Sequence, residues 1–148
     1  MIDSSSIKLV IRGAAFTSAV LLVFAVPAEA ANARLETSAG AYIFTPTICA
    51  VHKEDDVYDI EIGGRGIAPD GEEFYLEFSS TGDELSVGLG VDGPFASAAR
   101  ELRAGRWVSR EFTVDVSGGT ITVLNLALVD ENGQSVDGDA TLKVDCDG

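Results

Sequence analysis

From residue 41 onward the chain alternates apolar and polar positions with a period of two. Tyr58, Ile60 and Ile62 share one parity, with Asp59 and Glu61 between them. Phe74, Leu76 and Phe78 are interleaved with Glu73, Tyr75 and Glu77, and Leu85, Val87 and Leu89 with Ser86 and Gly88. Val108, Phe112, Val114 and Val116 share a parity, as do Ala140, Leu142, Val144 and Cys146. Successive side chains of a strand point to opposite faces, so each run predicts a strand with one buried and one wet face. Residues 120–129 (TITVLNLALV) are apolar almost throughout, which predicts a strand covered on both faces. Opening strands are expected over 41–44 and 47–51. Pro46 between them cannot donate to a ladder and marks an edge or a bend.

Turn chemistry punctuates these runs at Pro69-Asp70-Gly71, Gly82-Asp83, Gly118-Gly119 and Asp130-Glu131-Asn132-Gly133. Seven or eight short strands at this spacing predict an all-β domain over 41–148, an antiparallel β-sandwich, with a small closed barrel as the alternative. Residues 31–40 read as a polar lead-in. One segment breaks the alternation. Phe95, Ala98, Ala99 and Leu102 recur at helical spacing, and Gly105 stands where a helix cap would be, which predicts one short helical insertion.

The first thirty residues have a different pattern. Lys8 and Arg12 precede an uncharged apolar run over 14–26; Pro27 breaks it and Ala28-Glu29-Ala30 follows. That order is a secretory signal peptide over 1–30, and the run falls short of the roughly 20 apolar residues of a membrane span. The expected location is periplasmic or secreted, with no stable membrane insertion after cleavage. Export changes the reading of the two cysteines. In an oxidising compartment Cys49 and Cys146 are expected to pair, since there is no C-x-x-C and His52 is the only imidazole.

Ten Lys and Arg against 24 Asp and Glu give a net charge of −14. That balance excludes nucleic acid as a partner, because its binding draws on basic patches that neutralise phosphates. The basic residues are concentrated. Arg100, Arg103, Arg106 and Arg110 lie within eleven positions, with Trp107, the only tryptophan, among them. Arginine offers a planar fork to carboxylates, and arginine with tryptophan is the composition of an interface hot spot. This segment is the candidate partner-binding surface, for a protein or an acidic polymer; the competing reading pairs these arginines with the chain's own carboxylates.

Catalytic patterns are sparse. No G-x-S-x-G elbow is present, and His52, in VHKEDD, reads as a surface residue beside a solvated acidic turn. Glu73 and Glu77 share a strand face at about 13 Å, beyond the roughly 5–9.5 Å of either glycosidase mechanism. With Tyr75 between them they would form a shallow platform for a sugar, or an ordinary exposed face. Asp130, Asn132, Asp137 and Asp139 offer oxygens for calcium, although the helices and final glutamate of an EF-hand are missing. Gly63, Gly64 and Gly66 lack the Lys and Ser/Thr of a phosphate loop. No cofactor is expected.

Cys49 early in the exported chain, Ile60-Glu61-Ile62-Gly63-Gly64, Val87-Gly88-Leu89-Gly90 and the closing Val144-Asp145-Cys146 resemble the mycobacterial 19 kDa lipoprotein antigen family. The resemblance implies an exported β-sandwich with a disulfide and a surface or binding role. The chain departs from that family in having no cysteine at the cleavage site for lipid attachment. It is also similar to exported proteins of Gram-negative bacteria. The reading that follows is a non-enzymatic envelope protein that binds a partner. Its rivals are an acidic structural protein whose charge serves solubility and a small carboxylate-dependent hydrolase.

Overall fold

A computed structural model describes residues 32–148 apart from Phe95 and Ser109. The signal segment expected over 1–30 lies outside the described residues. Nine strands follow one another: β1 (Ala33–Thr37), β2 (Gly40–Glu54), β3 (Val57–Ile67), β4 (Glu73–Ser79), β5 (Glu84–Leu89), β6 (Arg100–Gly105), β7 (Thr113–Ser117), β8 (Thr120–Asp130) and β9 (Ser135–Asp145). All pairings are antiparallel. Strands β1 to β6 pair in sequence, β1 also pairs with β9, β9 with β8, and β8 with β6. The sheet therefore closes into an eight-stranded barrel, with β7 as an extra strand on β8.

The all-β expectation holds, but the sandwich does not. Alternation of period two is the same for both architectures. What distinguishes them is non-local: β1 meets β9, and Leu102 and Arg103 of β6 meet Asp130 and Val129 of β8. The lead-in read over 31–40 is likewise corrected. It supplies β1, whose Ala33 and Leu35 are fully buried. The helical insertion is absent among the described residues: Leu102 and Ala104 are buried on alternate positions of β6. Helical spacing over so short a run does not distinguish helix from strand and bend. Val91 and Ala98 instead fold over the outer face, against Gly88 of β5.

Two bulges explain where the sequence pattern misled. The register between β2 and β3 slips between Pro46 and Ile48, so the two strands expected around Pro46 are one strand with a bend. Tyr42 and Phe44 face inward before the slip and Cys49 after it. In β8 the register slips between Val123 and Leu126, at Asn125, whose φ is +62°. Asparagine tolerates that left-handed conformation better than most residues. Ile121 and Val123 point inward before it, Leu126 and Leu128 after it, while Leu124 is 40% exposed. The run over 120–129 is thus apolar because its inward parity switches, not because both faces are covered.

The interior is filled by side chains, as expected for eight strands. Phe74 is its centre, meeting Tyr42 edge-on at 5.4 Å and Phe44 at 6.1 Å between ring centroids. Gly66 of β3 permits this packing. A Cβ there would collide with the Ile43 carbonyl oxygen and come within 2.6 Å of Phe44 Cβ. Cys49 and Cys146 form a disulfide, with Cα atoms 5.8 Å apart and 97 positions between them. Ala33, the first residue of β1, faces both Phe44 and Val144. Cys49 and Cys146 lie past that point, where the sulfurs join β2 to the end of β9 directly.

Reducing this disulfide under native conditions should cost about 4–5 kcal/mol of stability, because so long a loop is released in the unfolded chain; urea unfolding with and without reductant measures it. Gly66→Ala should cost about 1–3 kcal/mol through overpacking, read in the same titration as a lower midpoint with the far-UV strand signal intact.

Candidate partner-binding surface

β6 and β7 both run antiparallel to β8 and occupy successive stretches of it, opposite 129–130 and 120–124. They behave as one interrupted strand position, and the chain between them is carried outward. Gly105 begins this excursion with φ +82°, a conformation that favours glycine. The Arg106 amide donates to the Asp83 carbonyl at 2.7 Å and the Val108 amide to Gly105 at 2.9 Å. Phe112 ends it by packing on Phe78 at 5.4 Å between ring centroids.

At the tip stands Trp107, 49% exposed. The guanidiniums of Arg103 and Arg106 each lie over its ring, 4.8 Å from the centroid. Each is also held from behind. Arg103 Nε donates to Glu101 Oε2 at 2.7 Å, and Arg106 Nη2 pairs with Glu84 Oε2 at 2.5 Å. Cation–π contacts at exposed sites contribute about 0.5–1 kcal/mol each, and exposed ion pairs similar or smaller amounts. Their combined effect is orientation: a half-exposed indole with two fixed cations beside it.

The other two arginines of the segment go elsewhere. Arg100 pairs with Glu72, and Arg110 Nη1 donates to the Gly138 carbonyl at 2.8 Å. The segment is therefore not a single basic patch. It brings together Arg103, Arg106 and Trp107 and disperses Arg100 and Arg110.

Of the four residues read as oxygen donors for calcium, Asp130 and Asp137 spend their carboxylates on backbone amides. Asp130 Oδ1 accepts from the Asn132 and Gln134 amides, both at 2.9 Å, and shapes the β8–β9 turn. Asp137 Oδ2 accepts from the Ser38 amide at 2.6 Å and its Oδ1 from the Asp139 amide at 2.8 Å. Among the described residues no three His, Cys, Asp or Glu gather to hold a metal ion. These amides, from Ser38 first and Asp139 next, hold the Asp137 carboxyl below its ordinary value of 3.8.

The Glu73–Tyr75–Glu77 platform is not open. Tyr75 is only 7% exposed, and Val91, Pro94 and Ala98 stand on the outer face beside it. The register instead aligns Glu61 with Ser79, Ser79 with Glu84 and Glu77 with Ser86. Glu61, Glu77 and Glu84, from three strands, line one groove of about 160 Å³. Partial burial pushes the Glu77 carboxyl up, and the charges of Glu84 and Glu61 act in the same direction. Ser79 donates to Glu61 at 2.6 Å and Arg106 holds Glu84. No spacing along the chain announces this grouping, because strand register creates it. His52 is exposed on β2 opposite Asp59, beside a two-residue turn made by Asp55 (φ 47°) and Asp56 (φ 67°). Gly63, Gly64 and Gly66 lie within β3.

A depressed carboxyl stabilises the fold above its unfolded value and loses that contribution as pH falls through the folded value. Asp137→Asn should therefore be less stable than the parent at neutral pH, by roughly 1 kcal/mol for the hydrogen bonds weakened. The difference should shrink below about pH 3.8. Thermal unfolding of both proteins between pH 7 and pH 2.5 measures it. No protein-family model, curated protein or solved structure matches the chain.

Proposed function

We propose that this chain is an exported, non-enzymatic β-barrel protein of the bacterial envelope that holds a partner through Arg103, Trp107 and Arg106. The carrying observation is the half-exposed indole with a guanidinium 4.8 Å from its centroid on behalf of each neighbouring arginine. A side chain held in place before binding loses little freedom when the partner arrives, and tryptophan and arginine dominate interface energetics. The interior is packed with side chains, so binding uses the outside of the barrel. The signal pattern over 1–30 and the disulfide support a periplasmic or extracellular setting. The surface and binding role implied by the 19 kDa lipoprotein antigen resemblance agrees with this reading.

The partner is a protein or an acidic polymer. Glu101 and Glu84 already neutralise much of the charge of Arg103 and Arg106. Recognition thus depends on stacking and on exchange of one carboxylate for another more than on net attraction. The protein's −14 charge repels an acidic polymer at long range.

Trp107 is the only tryptophan, so its emission reports this surface directly. Envelope extract of the host should yield a captured protein or polymer that shifts this emission, and Arg103→Ala/Arg106→Ala should weaken its binding about tenfold or more. An extract that yields the same captured set with parent and double variant overturns the assignment.

A further inference from the structure

We propose that the outer face of β2 and β3 binds an amphiphile with a single anionic head, of the class of a free long-chain carboxylate, its head on Arg65 and its chain along Ile43 and Ile67. The register sets Ile43 opposite Ile67 and Thr45 opposite Arg65. The two isoleucines are 47% and 50% exposed. They line an open groove of about 550 Å³ together with Ala41, Thr45 and Pro69, and Arg65 lies on the same groove. Contiguous apolar surface of this kind marks a contact site more than scattered exposed residues do.

Charge selects the occupant. Among the described residues, Arg34, Lys53, Arg100, Arg103, Arg106 and Lys143 stand in ion pairs with the chain's own carboxylates. Arg110 donates to a backbone carbonyl. Arg65 has neither kind of partner, although Glu73 and Asp92 line the cavity on its other side. In a chain of 24 acids and 10 bases, an anion can meet this guanidinium without displacing a carboxylate. Arg34 faces Ile43 from β1, which places a second cation beside the apolar strip. One negative head and one apolar chain match this layout. A cationic head would meet Arg65 unfavourably. The groove lies on the face of the sheet, where backbone hydrogen bonds are already made, so strand addition by a peptide is not available there.

The site is three strands from β6 and does not rest on the Trp107 reading. It is tested on the oxidised, folded protein by backbone amide NMR during titration with sodium dodecanoate below its micelle concentration. Saturable shifts centred on Ile43, Arg65, Ile67 and Ala68 are expected. Arg65→Gln should weaken binding about tenfold, as loss of one charge-assisted contact does, and Ile43→Ser/Ile67→Ser should abolish it while the amide spectrum shows the fold retained. Dodecyltrimethylammonium should bind at least about tenfold more weakly than dodecanoate, and phosphatidylglycerol vesicles should not bind. No saturable shift, shifts elsewhere on the barrel, indifference to Arg65→Gln, equal affinity for the cationic amphiphile, or binding to vesicles alone would each overturn the proposal.

Discussion

Eight antiparallel strands that close on one another enclose an interior that their own side chains can fill. Here that space is occupied by an aromatic centre at Phe74 and by apolar side chains from every barrel strand. Closure depends on two seams that no local signal creates. One is β1, inserted between β2 and β9; the other is the short register of β6 on β8. The disulfide reinforces the first seam past the end of β1, by tying β2 to the last residues after β9. With the inside filled, every group available for chemistry or recognition lies on the outer surface or where the strand order is interrupted.

The second seam generates the arginine–tryptophan feature. β6 and β7 share one position along β8, and the described residues between them pair with no strand. Such an excursion remains ordered only if both of its ends are fixed. Gly105, lying under the Asp83 carbonyl, fixes one end, and Phe112 against Phe78 fixes the other. Trp107 is thereby carried outward at a position where the barrel has no further apolar surface to cover it. The exposed ion pairs around it add little free energy individually. They hold the guanidiniums at the indole and so convert an irregular loop into a defined surface.

Much of the acid surplus has structural uses. Asp130 and Asp137 accept backbone amides that would otherwise lack partners at turns, and glutamates hold arginines in place. Arg65 is the cation without such a role among the described residues, and Glu77 is a carboxylate whose pKa burial raises beside two others. The two stand on the same outer face of the sheet, on β3 and β4, and were made neighbours of their groups by cross-strand register.

The sequence by itself determined the strands and most of the residues they bury, because a period of two and a turn residue are local properties. It also pointed to the cysteine pair, since two thiols with no C-x-x-C spacing and a single histidine have few other fates. It pointed to Trp107 and its arginines by composition. Tertiary structure decided the rest. Whether alternating strands roll into a barrel or stack as two layers depends on which distant edges meet, and each strand carries the same pattern in either case. Ala33–Thr37 became β1 because β9 offered it an edge, and Arg100–Gly105 became β6 because β5 and β8 did. The bulges at Pro46 and Asn125 switch which parity faces inward, which an unbroken apolar run cannot reveal. The groupings of Glu61 with Glu77 and Glu84, and of Arg65 with Ile43 and Ile67, exist only through register, because their members are far apart along the chain or on different strands.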